Sequence, residues 1–250
     1  MKPGLLRRVL WRPLALLLLC GLALQLYFVL RIALMIVVDP QSTTFQRSEA
    51  WRLLHEQGRI RWAQQWVDDE HLSGNLKRAV IASEDAGFTE HGGIEWDAIE
   101  KAWDKNQRNM ARADRRAATN PKASTRPPKL VGGSTISQQL AKNLFLSGER
   151  TLPRKAQELL LTLALEALLS KQRILTIYLN SVEWGEGLFG AQGAARHYFR
   201  VDAQRLDAYS AARLAVMLPA PKRFEKNPGS PYVTGRAGVI VGRMAAVDLP

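Results

Sequence analysis

Negative charge is scarce in this chain, and cysteine is nearly absent. Lys and Arg number 35 against 23 Asp and Glu, which leaves a net charge of +12 over 250 residues. So basic a balance points to an anionic partner: nucleic acid, an anionic lipid surface or a phosphorylated substrate. The chain carries no helix-turn-helix, no zinc-ligand spacing and no aromatic RNA-binding signature, so no nucleic-acid partner is expected. The lone cysteine, Cys20, excludes an intrachain disulfide and a cysteine-ligated metal, while leaving the compartment open. No segment alternates apolar and polar residues in the manner of a half-buried strand, and there is no internal repeat. What remains is a helix-rich pattern. Its hydrophobic content of 46% and charged content of 23% are ordinary for a folded domain.

Formal charge is also missing from Leu14 to Leu30, and after Arg31 the chain is apolar again from Ile32 to Val38. That length suffices to cross a bilayer, which takes roughly 20 apolar residues. Lys2, Arg7, Arg8 and Arg12 precede it and Asp39 follows, so the positive-inside rule puts the N-terminus in the cytoplasm and exports the rest. A cleaved signal peptide would need a small-x-small site, and Val37-Val38-Asp39-Pro40 offers none. A lipoprotein reading would use Cys20, but Leu19 is too large for that processing and the apolar run continues past it. The expectation is a retained single-pass anchor with Arg31 snorkelling at its outer end, which places the span mainly over residues 12–30.

Beyond the anchor, Glu49 to Trp66 has helical composition. Asn75 is a candidate cap for a helix whose face is Leu76, Ala79, Val80 and Ser83 and whose end delivers Glu84 and Asp85. Residues 94–112 read as helical. From Ala113 to Leu130 prolines, Ser, Thr and Asn accumulate with Lys and Arg, the composition of a basic loop. Thr135-x-x-Gln138 fits a capping box, so a helix carrying Gln138, Gln139, Lys142 and Asn143 begins there. Pro153 to Leu169 is the clearest helix, with a stripe of Leu159, Leu160, Leu163, Ala164, Ala167 and Leu168. Further helices are predicted for Lys171 to Asn180, Leu188 to Tyr198 and Asp207 to Leu218, with Pro219, Pro221 and Pro228 breaking the chain into a tail.

The chemistry sits in three polar signatures. Glu84 opens Glu84-Asp85-Ala86-Gly87-Phe88-Thr89-Glu90-His91-Gly92-Gly93. Glu158 closes Arg154-Lys155-Ala156-Gln157-Glu158. Between them lies Gly132-Gly133-Ser134-Thr135-Ile136-Ser137-Gln138-Gln139-Leu140-Ala141-Lys142-Asn143. Two acids separated by cations and amides suit a sugar-transfer site with a phosphate leaving group, the carboxylates handling protons and the cations holding the departing charge. Arg154, Lys155 and Glu158 share one helical face by spacing. Phe88 is expected to pack, His91 to hydrogen-bond structurally and Glu166 to be structural. Glu95, Trp96 and Asp97 are candidates for the acceptor side.

These three motifs resemble the first three signatures of family 51 glycosyltransferases, the peptidoglycan transglycosylases. Arg173 to Asn180 resembles the fourth. Trp184 to Gly190, through Ala194, Ala195, Tyr198 and Phe199, resembles the glycine-rich element that follows. The match runs in order over residues 75–228, and the basic 113–130 segment departs from it, since a much shorter connection is expected there.

The resemblance implies a mainly α, lysozyme-like domain behind a single N-terminal transmembrane helix. The expected division is a basic cytoplasmic N-terminus (1–11), an anchor (12–38), a connector and lead-in (39–74), the catalytic domain (75–228) and a C-terminal tail (229–250). No transpeptidase domain is expected. The implied substrate is lipid II, polymerised onto a growing glycan strand by inverting displacement of undecaprenyl pyrophosphate. Glu84 is the expected base. Lys142, Arg150, Arg154 and Lys155 are expected on the pyrophosphate, with Glu158 orienting them or holding a divalent ion. Asp85, Ser134, Thr135, Gln138, Gln139 and Asn143 complete the substrate-binding set. No cofactor is obligatory, and Mg or Mn is admitted at the pyrophosphate. The implied setting is the cell inner membrane with the domain periplasmic, and cell-division or elongation proteins are the implied class of protein partner. The rival enzyme class, a lytic transglycosylase or muramidase, would need no cations beside its acid. A non-enzymatic scaffold for anionic cell-wall polymers would account for the charge but not for Ser134 to Gln139.

Overall fold

One long apolar helix, α1 (Pro3–Leu34), leads the chain in the computed structural model, which describes residues 3–119, 133–149 and 151–250. Its segment Trp11–Leu34 has the length and hydropathy of a membrane span. Leu16, Leu17, Leu18, Leu19 and Leu22 are all exposed, as a lipid-facing surface requires. The helix does not stand apart. Ile32 and Met35 are buried in the protein core, and Arg173 donates to the Met35 carbonyl at 2.7 Å and pairs with Asp39 at 2.8 Å. Arg31 folds back onto Tyr27, its Nη1 3.1 Å from the phenol oxygen.

Ten further helices follow among the described residues, and their ends have local causes. The helix α2 (Thr44–Gln57) starts in a capping box of Thr43 with Gln46 and stops at Gly58, which takes a left-handed φ of 65°. Residues after Gly58 are therefore not helical, contrary to the reading of Glu49 to Trp66, and Ala63 instead pairs with Leu188. The helix α3 (Gly74–Glu84) is capped by the Ser73 hydroxyl, not by Asn75, and buries Leu76, Ala79 and Val80. The helix α4 (Trp96–Thr119) runs on into the segment expected to be a loop from Ala113. Alanine and arginine there are strong helix formers, and the first proline comes only at Pro121. The remainder of that basic segment, and Arg150, lie outside the described residues.

The helix α5 (Ile136–Phe145) opens on the Thr135–Gln138 capping box as its sequence predicts. In α6 (Leu152–Leu168) the face turned to the core is Glu158, Leu161, Thr162 and Leu165. Leu159, Leu160 and Leu163, read as the core stripe, are exposed. They look outward on the helix that packs against α1, where Gln25 and Gln157 exchange amide hydrogen bonds at 2.8 and 3.1 Å. Behind them, α7 (Lys171–Ser181) is buried from Ile174 to Ser181.

A two-stranded antiparallel hairpin follows, β1 (Glu183–Gly185) with β2 (Leu188–Phe189). It was invisible to an alternation test because every one of its residues is buried. Gly187 has φ 70°, and a Cβ there would lie 2.0 Å from the Arg61 carbonyl oxygen, so only glycine allows this turn. The helix predicted from Leu188 accordingly starts later, as α8 (Ala191–Phe199). The helix α9 (Ala208–Met217) is capped by Asp207, and a single turn, α10 (Pro221–Phe224), follows. The segment read as a tail holds α11 (Pro231–Met244), which packs on α3 and α9 and buries Val233, Ala237, Ile240 and Met244. Those four positions share one helical face, a signal that the surrounding glycines and arginines mask.

Candidate active site

Glu84 is the last residue of α3, half-buried, with one side-chain hydrogen bond: the Gln139 amide donates to its Oε2 at 3.0 Å. The other end of that amide accepts from the Tyr178 hydroxyl at 2.9 Å. Tyr178 is buried on α7, and its hydroxyl decides which way the amide points, NH2 toward Glu84 and oxygen away. Burial raises the Glu84 pKa above its ordinary 4.5, the Gln139 bond opposes this, and the charge of Asp85 adds to it. Among the described residues no cation pairs with this carboxyl, a setting that favours its taking up a proton.

Asp85, by contrast, faces inward. Its side chain is 0% exposed, one oxygen accepting from His91 Nε2 at 2.8 Å and the other from the Ile136 amide at 2.9 Å. The Gly93 amide donates to His91 Nδ1 at 3.0 Å, which leaves the ring proton on Nε2, facing Asp85. Thr135 donates to the Gly93 carbonyl at 2.7 Å. Gly93 itself has φ 87°, and a Cβ on it would meet Glu166 and Thr162 of α6 within 2.8 Å. These bonds clip the first signature onto the N-terminus of α5. Asp85, Thr135 and Gln138, among the residues expected on the substrate, are buried, and Thr135 and Gln138 close the capping box that starts the helix carrying Gln139. Ser137 bonds to Glu166, which Lys171 also holds at 2.8 Å. Glu166 is thus structural as expected, with a cationic partner on α7 that its own motif does not contain.

On α6, Glu158 is buried and takes Arg154 on one oxygen at 2.8 Å and Lys155 on the other. The helical spacing anticipated this arrangement. Each Glu158 oxygen thus has one cationic partner, which ties Arg154 and Lys155 to α6. A second group, Asp85, His91 and Glu95, has metal-ligand spacing. Its Asp85 and His91 atoms are already committed to Ile136, Gly93 and each other.

An open cleft of about 340 Å³ gathers the rest. Gln139, Lys142 and Asn143 from α5, Arg154 from α6, Tyr178 from α7 and Glu183 from β1 line it. Ser134 is exposed beside it, its carbonyl 3.4 Å from the Gln139 amide. Lys155 is exposed and is not part of the cleft wall. A larger cavity, about 420 Å³, lies at the α6–α7 junction beside Ile36, away from these groups. Sequence reasoning missed Tyr178 and Glu183 as site residues. Tyr178 belongs to a recognised motif but shows its role only through its contact with Gln139, and nothing in the local pattern marks Glu183.

Comparison with known proteins decides the family. The model of the family described as Transglycosylase matches residues 52–245, most of the chain. The chain belongs to the transglycosylase family. Among curated relatives of this transglycosylase, "Biosynthetic peptidoglycan transglycosylase" of Burkholderia pseudomallei (strain K96243) is 52% identical over 229 residues, covering 92% of this chain and 83% of that protein. The protein of the same name from Burkholderia thailandensis is also 52% identical over the same span and shares. That of Paraburkholderia xenovorans (strain LB400) is 48% identical over 230 residues, 92% of this chain and 88% of the relative. The mainly α, lysozyme-like architecture expected from the motifs is thus the family's, and the matched region takes in α11 as well as the signatures.

Proposed function

We propose that this enzyme polymerises lipid II into β-1,4-linked glycan and releases undecaprenyl pyrophosphate. The observation that carries the reading is the pairing of a charge-starved carboxyl, Glu84, with a cation-lined cleft one hydrogen bond away through Gln139. A sugar hydroxyl is a weak nucleophile until its proton has somewhere to go. In this reading the 4-hydroxyl of the acceptor attacks the anomeric carbon of the donor and its proton passes to Glu84. The bond from that carbon to the pyrophosphate oxygen breaks in the same step, inverting the centre. The leaving group needs charge neutralisation more than a proton, which Lys142 and Arg154 supply, with Glu158 holding Arg154 in place. Arg150, in the same stretch of sequence, joins them. A Mg or Mn ion stays optional, bound from the phosphate side. A lytic enzyme would make no use of these cations.

The same reading puts the enzyme in the inner membrane, its N-terminus in the cytoplasm and its domain in the periplasm. The basic residues before Leu14 set that orientation. Leu159, Leu160 and Leu163 are exposed on α6, the helix that packs on α1, and add apolar surface beside the anchor. A lipid-borne substrate then reaches the cleft without leaving the bilayer. The growing glycan strand is the second substrate, and cell-division or elongation proteins would meet the enzyme on this membrane. The test is polymer formation from lipid II by the purified full-length protein and by Glu84→Gln. Polymer from the first and none from the second is expected. Undiminished polymer from a folded Glu84→Gln protein, or release of fragments from intact peptidoglycan in place of synthesis, would overturn the reading.

A further inference from the structure

Glu183 is an acid that the reaction as drawn leaves without a task. Strand β1 carries it to the wall of the cleft that holds Gln139, Lys142 and Arg154. Its side chain is only 6% exposed, and Oε1 is sealed from solvent with no hydrogen-bonding partner. Among the described residues the cation nearest it, Lys222 of α10, stands 3.6 Å away, too far for a hydrogen bond. Lys222 is already committed to Glu49 of α2, so one ammonium serves two buried acids. Such a group is expensive for a fold to keep, since a buried polar atom without a partner costs free energy. Its position beside the cations suggests that the missing partner is the substrate.

Charge decides which form of Glu183 could serve. A carboxylate would repel a diphosphate drawn in by Lys142 and Arg154, whereas a carboxylic acid can donate a hydrogen bond to it. Burial pushes Glu183 up to about 7, with Lys222 pulling it down, the negative charge of Glu49 pushing it up and the Gly187 backbone amide pulling it down a little. Glu49 and Glu186 are shifted down, and Tyr178 up, by their own surroundings. Against the cost of burial, Arg52 and Lys222 hold Glu49 below its ordinary value. Arg52 and Gln57 do the same for Glu186, in the hairpin turn. Burial pushes Tyr178 well above its own. Glu225, just after α10, accepts from the Glu186 amide at 2.7 Å.

We propose that Glu183, in its protonated form, is a substrate-binding group of the cleft that donates a hydrogen bond to an acceptor oxygen of the donor substrate, on the diphosphate or on the sugar it carries. The inference rests on the reading of this cleft as the donor site. It adds that binding is linked to a proton, held on a wall of the cleft distinct from the base.

The test follows the KM for lipid II from about pH 6 to about pH 8.5 in the full-length enzyme. Loss of the donated hydrogen bond as Glu183 ionises raises KM about tenfold across this range. Glu183→Gln, a permanent neutral donor, keeps the low KM at all pH. Glu183→Ala shows the high KM throughout, with folding checked by circular dichroism. Lys222→Met removes the charge that opposes protonation, so the inflection moves to higher pH, a displacement that a purely structural role would not produce. A wild-type KM that does not change with pH, or an alkaline rise that persists in Glu183→Gln, overturns the proposal. Undecaprenyl diphosphate as competitor separates the two sources of the acceptor oxygen. If its inhibition weakens with the same pH dependence, the contact is to the diphosphate; if only the KM for lipid II moves, the contact is to the sugar. Arg154→Ala keeps the premise separate: it raises KM at every pH without moving the inflection, and if it leaves KM untouched, the assignment of the cleft has failed, whatever Glu183 does.

Discussion

At the end of α3 Glu84 meets a single neutral amide, whereas on α6 Glu158 is gripped by a guanidinium and an ammonium. Residue type is the same, yet among the described residues the first has no cationic partner and the second has two. Environment, not identity, separates a proton acceptor from a positioning group. The difference arises from what faces each helix. The carboxyl of Glu84 points at α5 and finds Gln139 there, whereas Glu158 has its cations on its own helix, one turn back.

The contrast breaks most visibly at Glu84. Glu84→Gln is expected to lower the polymerisation rate about 10²–10⁴-fold, the usual worth of a general base. Its raised pKa also gives two signs. The rate of the wild type falls as pH drops through a value above the ordinary 4.5, and Gln139→Ala, which removes the opposing hydrogen bond, moves that limb further up. Because folding raises this pKa, the native state binds the proton better than the unfolded chain does, and the carboxylate costs stability at neutral pH. Glu84→Gln should therefore melt no lower than the wild type at neutral pH, and a large drop in its melting temperature would show that Glu84 is structural.

Glu158→Gln should do the reverse. It leaves Arg154 half-buried without its counter-charge, at a cost on the order of 3 kcal/mol in urea unfolding, and it impairs turnover without abolishing the fold. Lys142→Ala removes one contact to a charged oxygen, a loss of roughly 1.5–3 kcal/mol, seen as a fall of one to two powers of ten in polymerisation. The smallest effect sharpens the comparison. Tyr178→Phe frees the Gln139 amide to rotate at a cost of about 1 kcal/mol, so the rate should fall about fivefold with little change in KM.

Much of the site was legible because its signals are local. The Thr135–Gln138 capping box, the Arg154–Lys155–Glu158 face and the apolar run of α1 depend on neighbours within two turns of one helix, and all three stand as their spacing implies. The failures share the opposite property. Asp85 and Thr135 sit inside polar motifs, and only their partners on other segments show them to be buried clips. The exposed leucines of α6 have the right period for a core, and which of two apolar faces turns inward depends on what packs against the helix. The helix α11 was missed because small and charged residues dilute a stripe that is apolar only where it meets α3 and α9.

By itself the sequence determined the candidate membrane span, the helical composition, the order of the signatures and the residue types of the candidate site, because hydropathy, capping and helical spacing act over a few residues. The tertiary structure alone decided the roles within that set. It left Glu84 with one neutral partner and buried Asp85, and it brought Tyr178 onto Gln139 from a different helix. It also carried Glu183 into the cleft on a hairpin that only a glycine turn allows. A side chain's charge state and reach are set by whatever lies within a few ångströms of it, and in this fold those neighbours come from distant parts of the chain.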